Sequence, residues 1–336
     1  MLVLSSNDQQ KLIKMPELID AVTNALEEYS CQRSMTPVRT VLQVDKAQGN
    51  AIFMPSVAED IDSLGMKYVG TFPNNKAIGK KTINGVVLLI SNKTGEPIAL
   101  LEGSYLTVMR TGALSGAATK YLARGDAKVL ALIGTGEQSV GQLEAVMAVR
   151  NIESVRLYNR SEGKAKALAN YVKERHSIPV SVHQNADEAI EGADIIVTST
   201  SSETPVFSKR LKPGVHINAI GSYRPAMQEL PSHVIANANK VVVESRKSSL
   251  SEAGDLLIPI KEGVFSPAGI HAELGEIISS KAAGRENDEE ITVFKSVGLA
   301  VADIAAARYL YEKALKEQIG QQVSLGGESV IDFQNV

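Results

Sequence analysis

Residues 134–139 read Gly-Thr-Gly-Glu-Gln-Ser and follow the apolar run Leu130-Ala-Leu-Ile133. A chain leaving a buried strand through Gly134, Thr135 and Gly136 turns tightly and bares backbone N–H groups. If a helix then begins at Glu137, Gln138 and Ser139, those donors and the helix dipole suit a pyrophosphate. Two glycines alone also occur in ordinary tight turns, and Ser139 replaces the third glycine of the usual fingerprint. The strand before, the helix after and further strands downstream select the dinucleotide reading. The next strand ends at Tyr158-Asn159-Arg160-Ser161, with Lys164 one turn on. Sites for NAD(H) place a carboxylate here against the ribose hydroxyls, whereas guanidinium and hydroxyl groups attract the 2′-phosphate that a carboxylate repels. NADP(H) is the expected cofactor, with NAD(H) as the alternative. Ser161 also reads as a plain helix N-cap.

Two more strand ends face the same way. Thr198, Ser199 and Thr200 close a fourth strand and read as a cofactor-side loop. Ile220 and Ser222 flank Gly221 at the end of a fifth, before Tyr223-Arg224-Pro225. Parallel sheets keep their ligands at this end, which puts Tyr223 at the apex of a turn beside the site. With a reference pKa of about 10, its phenol is no base at neutral pH. Five histidines (His176, His183, His216, His233 and His271) have no metal-ligand spacing, so no metal is expected.

The elements that must hold these residues follow from periodicity. Segments 128–133, 155–159, 180–183, 194–200, 216–221 and 240–244 read as strands, and 138–150, 161–175 and 185–191 as helices. Their alternation predicts a Rossmann-type, doubly wound parallel sheet. Before it, helical spacing over 5–30 precedes short alternating runs, with a turn at Lys93-Thr-Gly95 and a helix over about 105–123. This predicts an α/β domain on a largely antiparallel sheet. A long alanine-rich helix from Ser296 to Lys316 would close back on it. The expected division is 1–120 completed by 304–336 for the first domain, and 121–303 for the dinucleotide domain. The last dozen residues, polar with a Gly326-Gly327 pair, are expected to fray.

Composition narrows the classes of function. The 336 residues carry a net charge of −3 and one cysteine, Cys31. No basic field invites nucleic acid or an acidic membrane surface. An internal disulfide is excluded, and no apolar run is long enough to span a membrane. The opening MLVLSSNDQQ lacks the basic and apolar regions of a signal peptide, so a cytoplasmic enzyme is expected.

A family resemblance runs through Gly65-Met-Lys67, Glu102, Met109-Arg-Thr-Gly-Ala-Leu-Ser115, the 134–139 loop, Leu211–Gly221, His271-Ala-Glu-Leu-Gly-Glu276 and Thr292–Gly298. In this order these segments resemble the ornithine cyclodeaminase/mu-crystallin family over nearly the whole chain. The resemblance implies a dinucleotide domain joined to a discontinuous α/β domain for substrate binding and dimerisation, hence a homodimer. It implies that Arg39, Lys67 and Arg110 hold the carboxylate of an amino or imino acid, a task suited to a bidentate guanidinium and a second cation. Met54 and Val297 are expected on the substrate side, Thr82 and Thr111 on the cofactor from the first domain, and Ser296 over the nicotinamide. Glu273 and Glu276 are expected to anchor a loop; Asp255, Glu286, Asp288, Glu289 and Glu290 read as solvated.

One departure bears on activity. Cyclodeaminases and archaeal alanine dehydrogenases of this family carry an aspartate where Tyr223 stands. The mu-crystallin branch, similar to ketimine reductases, lacks it and follows with Arg-Pro, as Arg224-Pro225 does here. The expected activity is NAD(P)H-dependent reduction of a cyclic imino acid, Δ1-pyrroline-2-carboxylate or Δ1-piperideine-2-carboxylate. Lys67, Arg110 and Tyr223 are its candidate catalytic residues. The alternatives are ornithine cyclodeaminase, an alanine-type dehydrogenase, an amine-condensing synthase and a non-catalytic NADP-dependent ligand binder.

Overall fold

Two eight-stranded sheets organise the described residues. The computed structural model describes residues 1–325; the tail around Gly326 and Gly327, expected to fray, lies outside them. In the first sheet, Pro97–Glu102, Ile83–Ile90, Ser63–Thr71 and Gly49–Ala58 run antiparallel in that order, and Thr40–Val44 and Ser34–Met35 pair with the last of these. Leu2–Leu4 joins parallel to Pro97–Glu102, and Gln321–Gln322 adds to it from the far end of the chain. Alternation explains the layering: Val87, Leu89, Ala99 and Leu101 point inward and are fully buried.

The second sheet is wholly parallel, in the order Val180–Val182, Ser154–Tyr158, Val129–Ile133, Ile195–Thr198, His216–Ala219, Thr292–Lys295, Lys240–Val243, Ile270–Glu273. Helices cover both faces, so its inner strands are buried and include continuous apolar runs such as Leu130–Ile133. This is the Rossmann-type fold that the strand–helix alternation predicts.

The two halves meet where Gly103–Leu122 crosses Gln138–Val149. A side chain on Gly112 would strike the carbonyl of Gly141, and one on Gly141 would strike that of Val108. Backbone therefore touches backbone, and the crossing fixes Arg110 and Thr111 beside the start of the Gln138–Val149 helix.

Several readings need correction. The helix expected from Ser296 begins at Ala300. Thr292–Lys295 is an inner strand, and Gly298 at φ +94° breaks the chain out of it. The single helix expected over 5–30 is two, Ser6–Leu12 and Met15–Ser30, the second carrying Pro16 in its first turn. Asp255 and Glu290, read as solvated, are buried because Lys295 and Lys240 reach them.

Candidate active site

Gly134 sits at φ +95°, and a side chain there would lie 2.8 Å from the Ser199 carbonyl. Only glycine fits this turn. Gly136 faces open space, which leaves room for a ligand against the backbone. Ser139 takes the third glycine's place by folding its hydroxyl onto the Gly136 carbonyl at 2.6 Å. Thr135 N–H donates to Asn159 Oδ1, whose Nδ2 donates to the Ser161 carbonyl, so Asn159 ties the two strand ends together. Arg160, Ser161 and Lys164 are exposed just beyond, and Ser161 makes no capping hydrogen bond. Thr135 Oγ1 and Gln138 Oε1 are buried without partners beside the loop. A dinucleotide fits this cradle: the open Gly136 face admits phosphates and the orphaned polar atoms supply contacts.

Across the cleft, Lys67 and Arg110 meet on one carboxylate. Lys67 Nζ lies 2.7 Å and Arg110 Nε 2.8 Å from Asp303 Oδ1, with all three side chains buried. One carboxylate for two cations leaves a net positive charge, the charge a substrate carboxylate would neutralise. Arg110 Nη1 is buried and unpartnered. Burial, helped by the Arg110 and Arg39 charges and opposed by Asp303, pushes Lys67 down to about 8. Arg39 arrives from the first sheet, ion-paired with Glu252 at 2.9 Å and donating to the Val297 and Gly298 carbonyls. Met54 is buried opposite Lys67 on the neighbouring strand.

Arg110 and Thr111 line a cavity of about 330 Å³ together with Gln138, Ser199, Thr200, Ile220, Tyr223, Ser296 and Val297. The cavity thus joins the Gly103–Leu122 helix to loops at the strand ends of the second sheet, residues that lie far apart in sequence. Tyr223 is 44% exposed at its mouth, with the Arg224 guanidinium 5.5 Å over its ring. Not every candidate turns inward. Ser222 is buried, donating to the Met227 carbonyl and accepting from Asp255 N–H, and Thr198 donates to Glu229. Thr82 stands at the foot of the hairpin between Ser63–Thr71 and Ile83–Ile90, its carbonyl accepting from Phe72 N–H. Glu137 is exposed at the helix start. Glu273 and Glu276 do anchor a loop, forming a capping box that also takes Ser30 Oγ and Arg246 N–H.

Asp303 escaped the sequence reading. Its signal is visible in retrospect: a lone carboxylate inside Ala300-Val-Ala-Asp-Ile-Ala-Ala-Ala307, where an apolar face leaves it no water. Glu229 and Glu244, both fully buried behind the cavity loops, were missed as well.

A model of the ornithine cyclodeaminase/mu-crystallin family matches residues 1–318. The chain is 61% identical to a Delta(1)-pyrroline-2-carboxylate reductase of Bacillus cereus, over 96% of this chain and 99% of that one. The fold is similar to that of Thermococcus litoralis Delta(1)-pyrroline-2-carboxylate reductase in complex with NADH and L-proline, with TM-score 0.91 and 42% identity, covering 96% of this chain and 100% of that one. It is also similar to an archaeal alanine dehydrogenase dimer with bound NAD, with TM-score 0.89 and 36% identity over 97% and 99% of the two chains.

Proposed function

This chain belongs to the ornithine cyclodeaminase/mu-crystallin family, and from that membership we propose that it reduces the cyclic imino acid Δ1-pyrroline-2-carboxylate to proline at the expense of a nicotinamide cofactor. The observation that carries the reading is the Lys67–Asp303–Arg110 cluster, whose Arg110 has an unpartnered Nη1 and lines the cavity together with Gln138 of the dinucleotide-loop side. The relatives named pyrroline-2-carboxylate reductase support it.

The cluster's excess positive charge binds the substrate carboxylate, and the Arg110 fork orients it. When bound, the reduced nicotinamide supplies the hydride that the imine carbon accepts. The imine nitrogen needs one proton, and Lys67, held near 8, carries a proton at neutral pH yet gives it up far more readily than an ordinary lysine. Asp303 keeps that proton in place before transfer; afterwards Lys67 is a neutral amine, and a proton taken up from solvent restores the ammonium beside Asp303. Ile220 and Val297 provide apolar wall for the ring. Tyr223 offers a phenol where deamination would call for a carboxylate base, so reduction is favoured over ammonia release.

Other parts of the reading rest on placement. NADP(H) is proposed over NAD(H) because Asn159 is committed to the loop and Arg160 and Lys164 stand exposed where a 2′-phosphate would lie. Residues 1–120, completed by the chain from 304 onward, form the substrate-binding and dimerisation unit, and 121–303 the dinucleotide unit. Exposed Met35, Val38, Val41 and Leu42 give the first sheet an apolar edge that supports a homodimer. No helix among the described residues is long and apolar enough to cross a membrane, consistent with the proposed cytoplasmic setting. Loss of reduced-cofactor absorbance with Δ1-pyrroline-2-carboxylate tests the activity. Ammonia release from ornithine with no imine-dependent oxidation would overturn it.

A further inference from the structure

Glu244 follows the Lys240–Val243 strand and is fully buried, yet no cation pairs with it among the described residues. Its carboxylate instead collects three donors from three consecutive residues. Ser296 Oγ donates at 2.8 Å, Val297 N–H at 2.7 Å and Gly298 N–H at 2.5 Å. A buried carboxylate without such donors would be strongly disfavoured, so charge and loop hold each other.

The same three residues line the cavity. On their other side, the Val297 and Gly298 carbonyls accept from Arg39 Nη2 at 3.2 and 3.0 Å. Gly298, at φ +94°, lies so close to Arg110 that a side chain there would come within 3.3 Å of its Nη2. This loop, without a strand ladder of its own, therefore touches two of the three clamp cations. We infer that Glu244 is a positioning residue for the carboxylate clamp: by holding Ser296–Gly298 it sets where Arg39 and Arg110 close on the substrate. The charge also reaches the cleft directly, since it adds to the burial that raises the Glu252 carboxyl facing Arg39.

This inference rests on the proposed reductase activity but can fail separately from it. Glu244→Gln keeps the shape while offering one acceptor oxygen to three donors. Expected is a rise of about tenfold or more in KM for Δ1-pyrroline-2-carboxylate, larger than any change in KM for the reduced cofactor. L-Proline binding measured by calorimetry should weaken to a similar extent. Ser296→Ala removes one of the three bonds with little risk to folding and should give a smaller shift in the same direction. Unchanged imine KM and proline affinity in both variants would overturn the inference while leaving the activity standing. A wild type that neither oxidises the cofactor with the imine nor binds proline would overturn both. If Glu244→Gln fails to fold, Glu244→Asp, which keeps the charge but withdraws it by one methylene, takes its place: an imine KM and a proline affinity indistinguishable from wild type remove Glu244 from the clamp.

Discussion

Asp303→Asn is the sharpest perturbation of the cluster, because one oxygen serves both cations. Replacing the carboxylate by an amide keeps the volume and removes the only charge that raises Lys67 against burial and Arg110. An opposite charge in contact is worth about 1–3 pKa units, each about 1.4 kcal/mol. Lys67, now at about 8, should therefore fall by roughly 1–3 units in the variant. The sign follows directly. Protonated Lys67 is the active form, so activity is present below its pKa and is lost as pH rises through it. The alkaline limb of kcat/KM should lie near 8 in the wild type and move toward acid by at least about one unit in Asp303→Asn. Removing one partner of a buried ion pair should also cost about 3–5 kcal/mol of stability, read by denaturant unfolding. The assay is the pH dependence of imine-driven cofactor oxidation in both proteins, where the substrate's own titration cancels in the comparison. An alkaline limb at the same pH in both would refute the assignment of Lys67 as the titrating group.

Arg110→Ala should raise KM for the imine about tenfold to a hundredfold, the worth of a charge-assisted hydrogen bond; an unchanged KM removes Arg110 from the clamp. Arg160→Asp should lower kcat/KM with NADPH by at least about tenfold and spare NADH, since a 2′-phosphate would then meet a like charge; equal losses with both cofactors count against the proposed NADP(H) preference. Gly112→Ala pushes a methyl into the Gly141 carbonyl and should destabilise by about 1–3 kcal/mol, seen as a lower midpoint of chemical unfolding. Leu42→Lys, on the exposed apolar edge, should shift the protein to a monomer in light scattering if that edge is the dimer contact.

The parallel sheet was legible because its inner strands are buried on both faces. Val129–Ile133 is an unbroken apolar segment running into the Gly134 turn, and such a run has no other stable use in an α/β chain. The glycine loop was legible for the same local reason, as conformation and backbone access are written in the residues themselves. Boundaries were less so. The helix expected from Ser296 begins only at Ala300 because the strand before it is stabilised by its neighbours, His216–Ala219 and Lys240–Val243, rather than by its own pattern. Asp255 and Glu290 look like surface carboxylates until Lys295 and Lys240 are placed against them.

The sequence by itself determined the class of fold, the dinucleotide loop and the presence of cations able to grip a carboxylate, since each depends on short-range pattern or residue type. Only the tertiary structure decided which charges share a partner. Lys67 and Asp303 are 236 residues apart, and Arg110 and Asp303 are 193 apart. No local rule relates such positions; what brings them together is the return of the Ala300–Glu317 helix onto the first sheet. Burial then turns that meeting into chemistry, because a lysine without water and beside an arginine holds its proton loosely.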